Sequence, residues 1–212
     1  MTNLEKRGSF RLKQNIEYVL RDKDGKAKPL WNENAIARFF REELGISLPR
    51  IPLLFGFWGL TLNIHNLVVN AGMAGVASRI NGAGGEAAFT FIAIGTGTVA
   101  PAAGDTTLGT EITTGGGARA AATASRVTTD VTNDTAQLVL TFNFTASFAV
   151  TESGVLNAAS AGVLLARQTF SAINVANGDS LQVTWKFDVN WAFSSLICCP
   201  QNAKNTSVQN LV

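Results

Sequence analysis

The feature that most constrains this chain is a series of short segments rich in Thr, Ala, Val and Phe, near 89–95, 118–129, 135–147, 150–156, 163–171 and 181–189. Gly, Asn or Asp marks the breaks, as in GGG at 115–117, TNDT at 132–135, NAASAG at 157–162 and NGD at 177–179. β-Branched and aromatic side chains suit a pleated, half-buried surface, and the turn residues supply the conformations needed between such strands. With little helix and no repeat of fixed period, the pattern predicts a mainly β fold whose body is an antiparallel β-sandwich or jelly roll.

The front of the chain follows different rules. NIEYVL at 15–20 alternates apolar and polar residues, and AKPLW at 27–31 can pair back across the DKDG turn, with Pro29 confining the second strand to an edge. Asn34 is placed to cap NAIARFFREEL, in which Ile36, Phe39, Phe40 and Leu44 recur at helical spacing and Gly45 supplies the stop. SLPRIPLLFGFWG carries large apolar side chains without a period and is expected to run over a surface and bury itself there. TLNIHNLVV predicts a strand with an irregularity at Asn66, and NAGMAGVASRING a small-residue helix able to approach a sheet closely. The division expected is an N-terminal attachment arm at 1–60 with a small hairpin, a short helix and an apolar linker, then a β-sandwich body at 61–191 and a C-terminal tail at 192–212. On that division a chain lacking residues 1–45 should still fold.

Charge is unevenly placed. Residues 1–50 hold eleven Lys/Arg against seven Asp/Glu, and residues 51–212 hold six against eight. A total of +2 over 212 residues argues against a nucleic-acid partner, while 46% hydrophobic residues with only 15% charged ones argue for apolar surface covered by copies of the chain or by other proteins. MTNLEKRGSFRLKQ has no apolar stretch behind its charges, so no secretory signal is expected. IPLLFGFWGLTLNIHNLVV is too interrupted, by Pro52, Gly56, Gly59, Asn63, His65 and Asn66, to cross a membrane. Cys198 and Cys199 are adjacent, which disfavours a disulfide between them, and reduced, cytoplasmic synthesis is expected.

Candidate chemistry is sparse. Gly95, Gly97 and Ala100 match G-x-G-x-x-A after a strand, but a dinucleotide site needs a helix to open at once onto the pyrophosphate, and here Pro101 and more loop follow. A strand ending in a tight turn is the expectation. His65 is the single histidine and has no Cys or carboxylate at ligand spacing, so a structural role is expected. Asp22 and Asp24 before Gly25 resemble the opening of a calcium loop, but Lys26 falls on a ligand position and a tight turn fits better. The Asn-x-Ser/Thr triplets at Asn133, Asn143 and Asn205 are read as accidents of a Thr-rich chain. Glu152 in VTESGVL is placed to point inward between strands, and Asp188 lies near the last strand's end, with nothing marking a catalytic pair. Arg119, Arg126 and Arg167 are isolated charges that can pair with those acids, bridge a subunit boundary or stay solvated. No catalytic residue, metal ligand or cofactor is expected, and the chain reads as a non-enzyme.

Four phrases carry a resemblance: NLVVNAGMAGVASRING, FTFIAIGTGTVAPAAGDTTLGTEI, ARAAATASRVTTDVTNDTAQLVLTFNF, and AVTESGVLNAASAGVLLARQTFSAINVANGDSLQVTWKFDV. Over roughly residues 62–190 the chain resembles a recurrent structural module of tailed-bacteriophage virions, whose members serve as head-fibre, decoration, minor structural or tail-fibre proteins. The resemblance implies an enzyme-free β-sandwich made in the host cytoplasm and assembled on the particle. Its implied partners are other copies of itself, a trimer being the usual form, and the major capsid protein or tail and neck proteins. A capsid-associated decoration, cement or head-fibre role is favoured by the absence of a long repetitive shaft. A tail, collar or baseplate component that binds a receptor or a host surface glycan is the alternative. Large apolar side chains near the front and at the last strand's end, Trp31, Phe39, Phe40, Leu53, Leu54, Phe55, Phe57, Trp58 and Trp191, are the candidate interface residues.

Overall fold

The computed structural model describes residues 8–193, with side chains described from 15 to 189. Strands β1 (Gly8–Arg21), β2 (Ala27–Lys28) and β3 (Leu30–Glu33) precede helix α1 (Ala35–Leu44). Strands β4 (Gly56–Gly59), β5 (Leu62–Ile64) and β6 (Leu67–Val68) lead to helix α2 (Asn70–Asn81). Then follow β7 (Phe91–Gly95), β8 (Ala120–Ala121), β9 (Thr123–Val127), β10 (Thr135–Asn143), β11 (Phe148–Leu156), β12 (Leu164–Val175) and β13 (Ser180–Phe193). The chain is mainly β, and its named strands pair antiparallel, consistent with a sandwich body.

One sheet runs β2-β1-β13-β10-β9, with β5 also on β1; the second runs β6-β12-β11-β7-β8; β3 and β4 form a separate pair. Period-two alternation builds the layer between the two main sheets. Ile16, Tyr18 and Leu20 from β1 and Leu181, Val183, Trp185 and Phe187 from β13 meet Ile92 and Ile94, Val150 and Val155, and Phe170 and Ile173 in one continuous core. The Tyr18 ring lies 4.6 Å from that of Phe170, and its hydroxyl pairs with the Ser153 hydroxyl at 2.6 Å, a polar link across the sandwich. Burial pushes the Tyr18 phenol well above its ordinary pKa, so it stays neutral.

A strand stands at each predicted run, but 118–129 is broken into β8 and β9, β10 stops at Asn143 rather than 147, and β12 and β13 run several residues beyond the expected ends. A hairpin across DKDG forms, Asp22 N–H donating to Lys26 O, but of AKPLW only Ala27 and Lys28 pair back on β1; beyond Pro29 the chain leaves that sheet, and Leu30 and Trp31 pair with Gly59 and Trp58 of β4. Asn34 caps α1 by accepting from Ala37 N–H, and Gly45, at φ 65°, ends it. Three further points differ from the sequence reading. Strand β1 lies between β13 and the β2/β5 edge and gives the core Ile16 and Tyr18, so the front is woven into the body and a chain without residues 1–45 would lose a central strand. The irregularity at Asn66 is a crossover, because β5 pairs with β1 in one sheet and β6 with β12 in the other. The stretch at 47–59, expected to bury itself, leaves Ile51, Leu53, Leu54, Phe57 and Trp58 exposed, with Leu48 and Phe55 half-buried.

The main core has a second, smaller cluster beside it: Val69, Ala93, Leu108, Leu156 and Leu164, with Ala71 of α2 packed against them. Gly72 makes this approach close, since a Cβ there would strike the Leu165 backbone. Among the described residues no helix is long and apolar enough to cross a membrane.

Candidate assembly surface

The groups that looked most like chemistry are occupied in holding the fold. Register slips in β11 between Val150 and Glu152. Val150 and Ser153 both belong to the inner layer, so the slip reverses the alternation and sets Glu152 on the opposite face, beneath the 96–110 loop. There Glu152 is 0% exposed. Its Oε1 accepts from the N–H groups of Gly97 (3.0 Å) and Thr110 (2.6 Å), and its Oε2 from Gly109 N–H (2.9 Å) and from Arg167 Nε (3.1 Å) and Nη2 (3.0 Å). Arg167, 4% exposed at its side chain, also donates to Asp105 Oδ2 at 2.5 Å and to Val99 O at 2.9 Å. Every element of this buried ion pair thus has partners, which is the condition for burying charge at tolerable cost.

The same geometry explains the G-x-G pattern. Gly95 lies opposite Glu152 in the β7/β11 ladder, and a Cβ on it would meet Glu152 Cγ at 2.8 Å and crowd Thr110 O. A Cβ on Gly97 would meet Glu152 Cδ at 2.7 Å. The glycines make room for an anion, as in a phosphate loop, but the anion is the chain's own carboxylate.

The other charged residues are similarly engaged. Arg119 clamps Glu111 (Nη2 to Oε2, 2.5 Å) and donates to the carbonyls of Ala158 and Ala161, while Arg126 is exposed. Asp134 accepts from the N–H groups of Thr129, Asp130 and Val131 and from the Thr135 hydroxyl, tying the β9–β10 loop. Those bonds, chiefly that from Val131, pull its pKa down to about 2. Asp130, Asp134 and Asp188 each bring a carboxylate oxygen to within 4.8 Å of the others, but Asp134 spends its acceptors on the loop backbone. His65 is exposed beside a polar depression that Asn15, Lys186 and Asp188 also line.

The front segment shows the reverse distribution. Ten of the fifteen large apolar side chains left exposed among the described residues lie between positions 36 and 60. Helix α1 turns its polar side to the body. Arg41 donates from Nε to Glu33 at 2.8 Å and from Nη1 to the Thr169 carbonyl and hydroxyl, and Gln168 donates to Glu42. Ala37 is the helix residue that is buried, whereas Ile36, Phe39 and Leu44 face solvent. The segment after α1 is tied by Arg50, which donates to Ala172 O at 2.9 Å and stands 5.7 Å over the Trp58 ring. In the turn beyond, Leu53 is 97% exposed and held at φ 67°, a left-handed conformation that costs a leucine about 1–2 kcal/mol.

Of the candidate interface residues, Phe39, Leu53, Leu54, Phe57 and Trp58 are exposed, and Phe40 and Phe55 are half-buried. Trp31 is 5% exposed and packs edge-on to Trp58 across the β3/β4 pair, with ring centroids 5.4 Å apart, so it supports the surface from below. The Trp191 backbone pairs with Phe10 in the β1/β13 ribbon; its side chain, Cys198, Cys199, Asn205 and most of the predicted tail lie outside the described residues. Sequence reasoning did not find Ile36, Leu44, Ile46, Ile51 and Leu60 as surface residues, although the first two lie on the apolar stripe of α1. Comparison with protein-family models, curated proteins and solved structures found no match.

Proposed function

We propose that this protein is a non-enzymatic structural component of a tailed-bacteriophage particle, a capsid-associated decoration, cement or head-fibre protein whose front segment makes the assembly contact. The observation that carries the assembly part is the apolar face at 36–60, presented by a helix whose polar side is bonded to the body. Large apolar side chains left in water in this number within one segment mark a candidate protein contact. The phage part rests on the resemblance of residues 62–190 to virion modules. The commitment of Glu152, Arg167 and Asp134 to structural bonds agrees with a role that needs no reaction centre.

Localisation and copy number test this reading. A C-terminally tagged chain incorporated into virions and counted against the major capsid protein is expected at tens to hundreds of copies over the head. A handful at the neck or tail would move the protein to a fibre, collar or baseplate role. Absence from particles would remove the phage assignment altogether. A second reading, glycan binding, draws on one observation: Trp58 is exposed beside Arg50, an aromatic face with a polar neighbour. A glycan-array signal lost in Trp58→Ala would support it, and a silent array would count against it.

A further inference from the structure

We draw no further inference here: the strongest candidate, the apolar groove between α2 and strands β10 and β13 lined by Val76, Ile80, Phe89, Leu138, Phe187 and Val189, is an unpartnered apolar face, and nothing in the structure shows what covers it.

Discussion

Beneath the 96–110 loop a carboxylate and a guanidinium are sealed from water, while along residues 36–60 leucines and aromatics stand in it. Both regions reverse the usual distribution, and they do so for related reasons. Charge can be buried where each oxygen and each N–H meets a partner, and Glu152 has five such donors. Apolar surface can be left outside where the chain's own body offers nothing to cover it. Helix α1 shows the trade directly, because its inward side is occupied by Arg41 and Ala37, which leaves Ile36, Phe39 and Leu44 outward. The buried charge orders a loop within one molecule, and the exposed apolar side chains are the ones that the proposed function assigns to contact with another.

The largest effect on this contrast should come from removing the buried acid. Glu152→Ala leaves Arg167 charged and buried and frees three loop N–H groups, and should cost about 3–5 kcal/mol by denaturant unfolding. Glu152→Gln, which keeps the volume, should lose nearly as much; wild-type stability in either variant would mean that the ion pair is not what holds the loop. Gly97→Ala comes next, with an expected loss of about 2 kcal/mol from overpacking against Glu152. When Gly97→Ala and Glu152→Ala are combined in one chain the clash is gone, and the two losses should fall short of additivity. A fully additive pair would show that the glycine makes room for something other than the carboxylate.

The exposed region should respond in the opposite sense. Leu53→Gly relieves the positive φ and is expected to raise the unfolding free energy by about 0.5–1 kcal/mol. A variant that loses stability would show that contacts of the Leu53 side chain within its own chain outweigh the strain. The smallest effect concerns Asp134, the less buried counterpart of Glu152, held by the same kind of backbone N–H. Its pKa is lowered from 3.8 to about 2, so between these values the unfolded chain binds more protons and stability rises with pH. The contribution is whole above about pH 4 and is lost as pH falls towards 2. Comparing wild type with Asp134→Asn by thermal melting, the gap between the two should shrink over that interval, and a gap independent of pH would contradict the assignment.

Much of this was legible along the chain, wherever the determinant was local. The DKDG turn, the Asn34 cap and the Gly45 stop each depend on residues a few positions apart and are where the pattern placed them, and the strand runs follow with shifted ends and a break between β8 and β9. The candidate surface was half legible: Phe39 declares itself by helical spacing, and Leu53, Phe57 and Trp58 by size and lack of period, but the pattern cannot tell an apolar stripe that faces its own core from one that faces away. Trp31 and Trp58 illustrate this, being similar in type and paired in register, with one buried and the other exposed.

The amino-acid sequence by itself determined the β class, the caps and turns, the poverty of charge in the body and the apolar richness of the front. Only the tertiary structure decided that β1 is a central strand, that β5 and β6 belong to different sheets, that Gly95 and Gly97 surround Glu152, and that the apolar side of α1 points outward. The physical reason is separation along the chain. Propensity and periodicity act over one or two turns, whereas Tyr18 meets Ser153 across 135 positions, Gly97 meets Glu152 across 55, and Arg41 meets Thr169 across 128. Contacts at such distances are chosen by packing and by the need to satisfy each buried polar group.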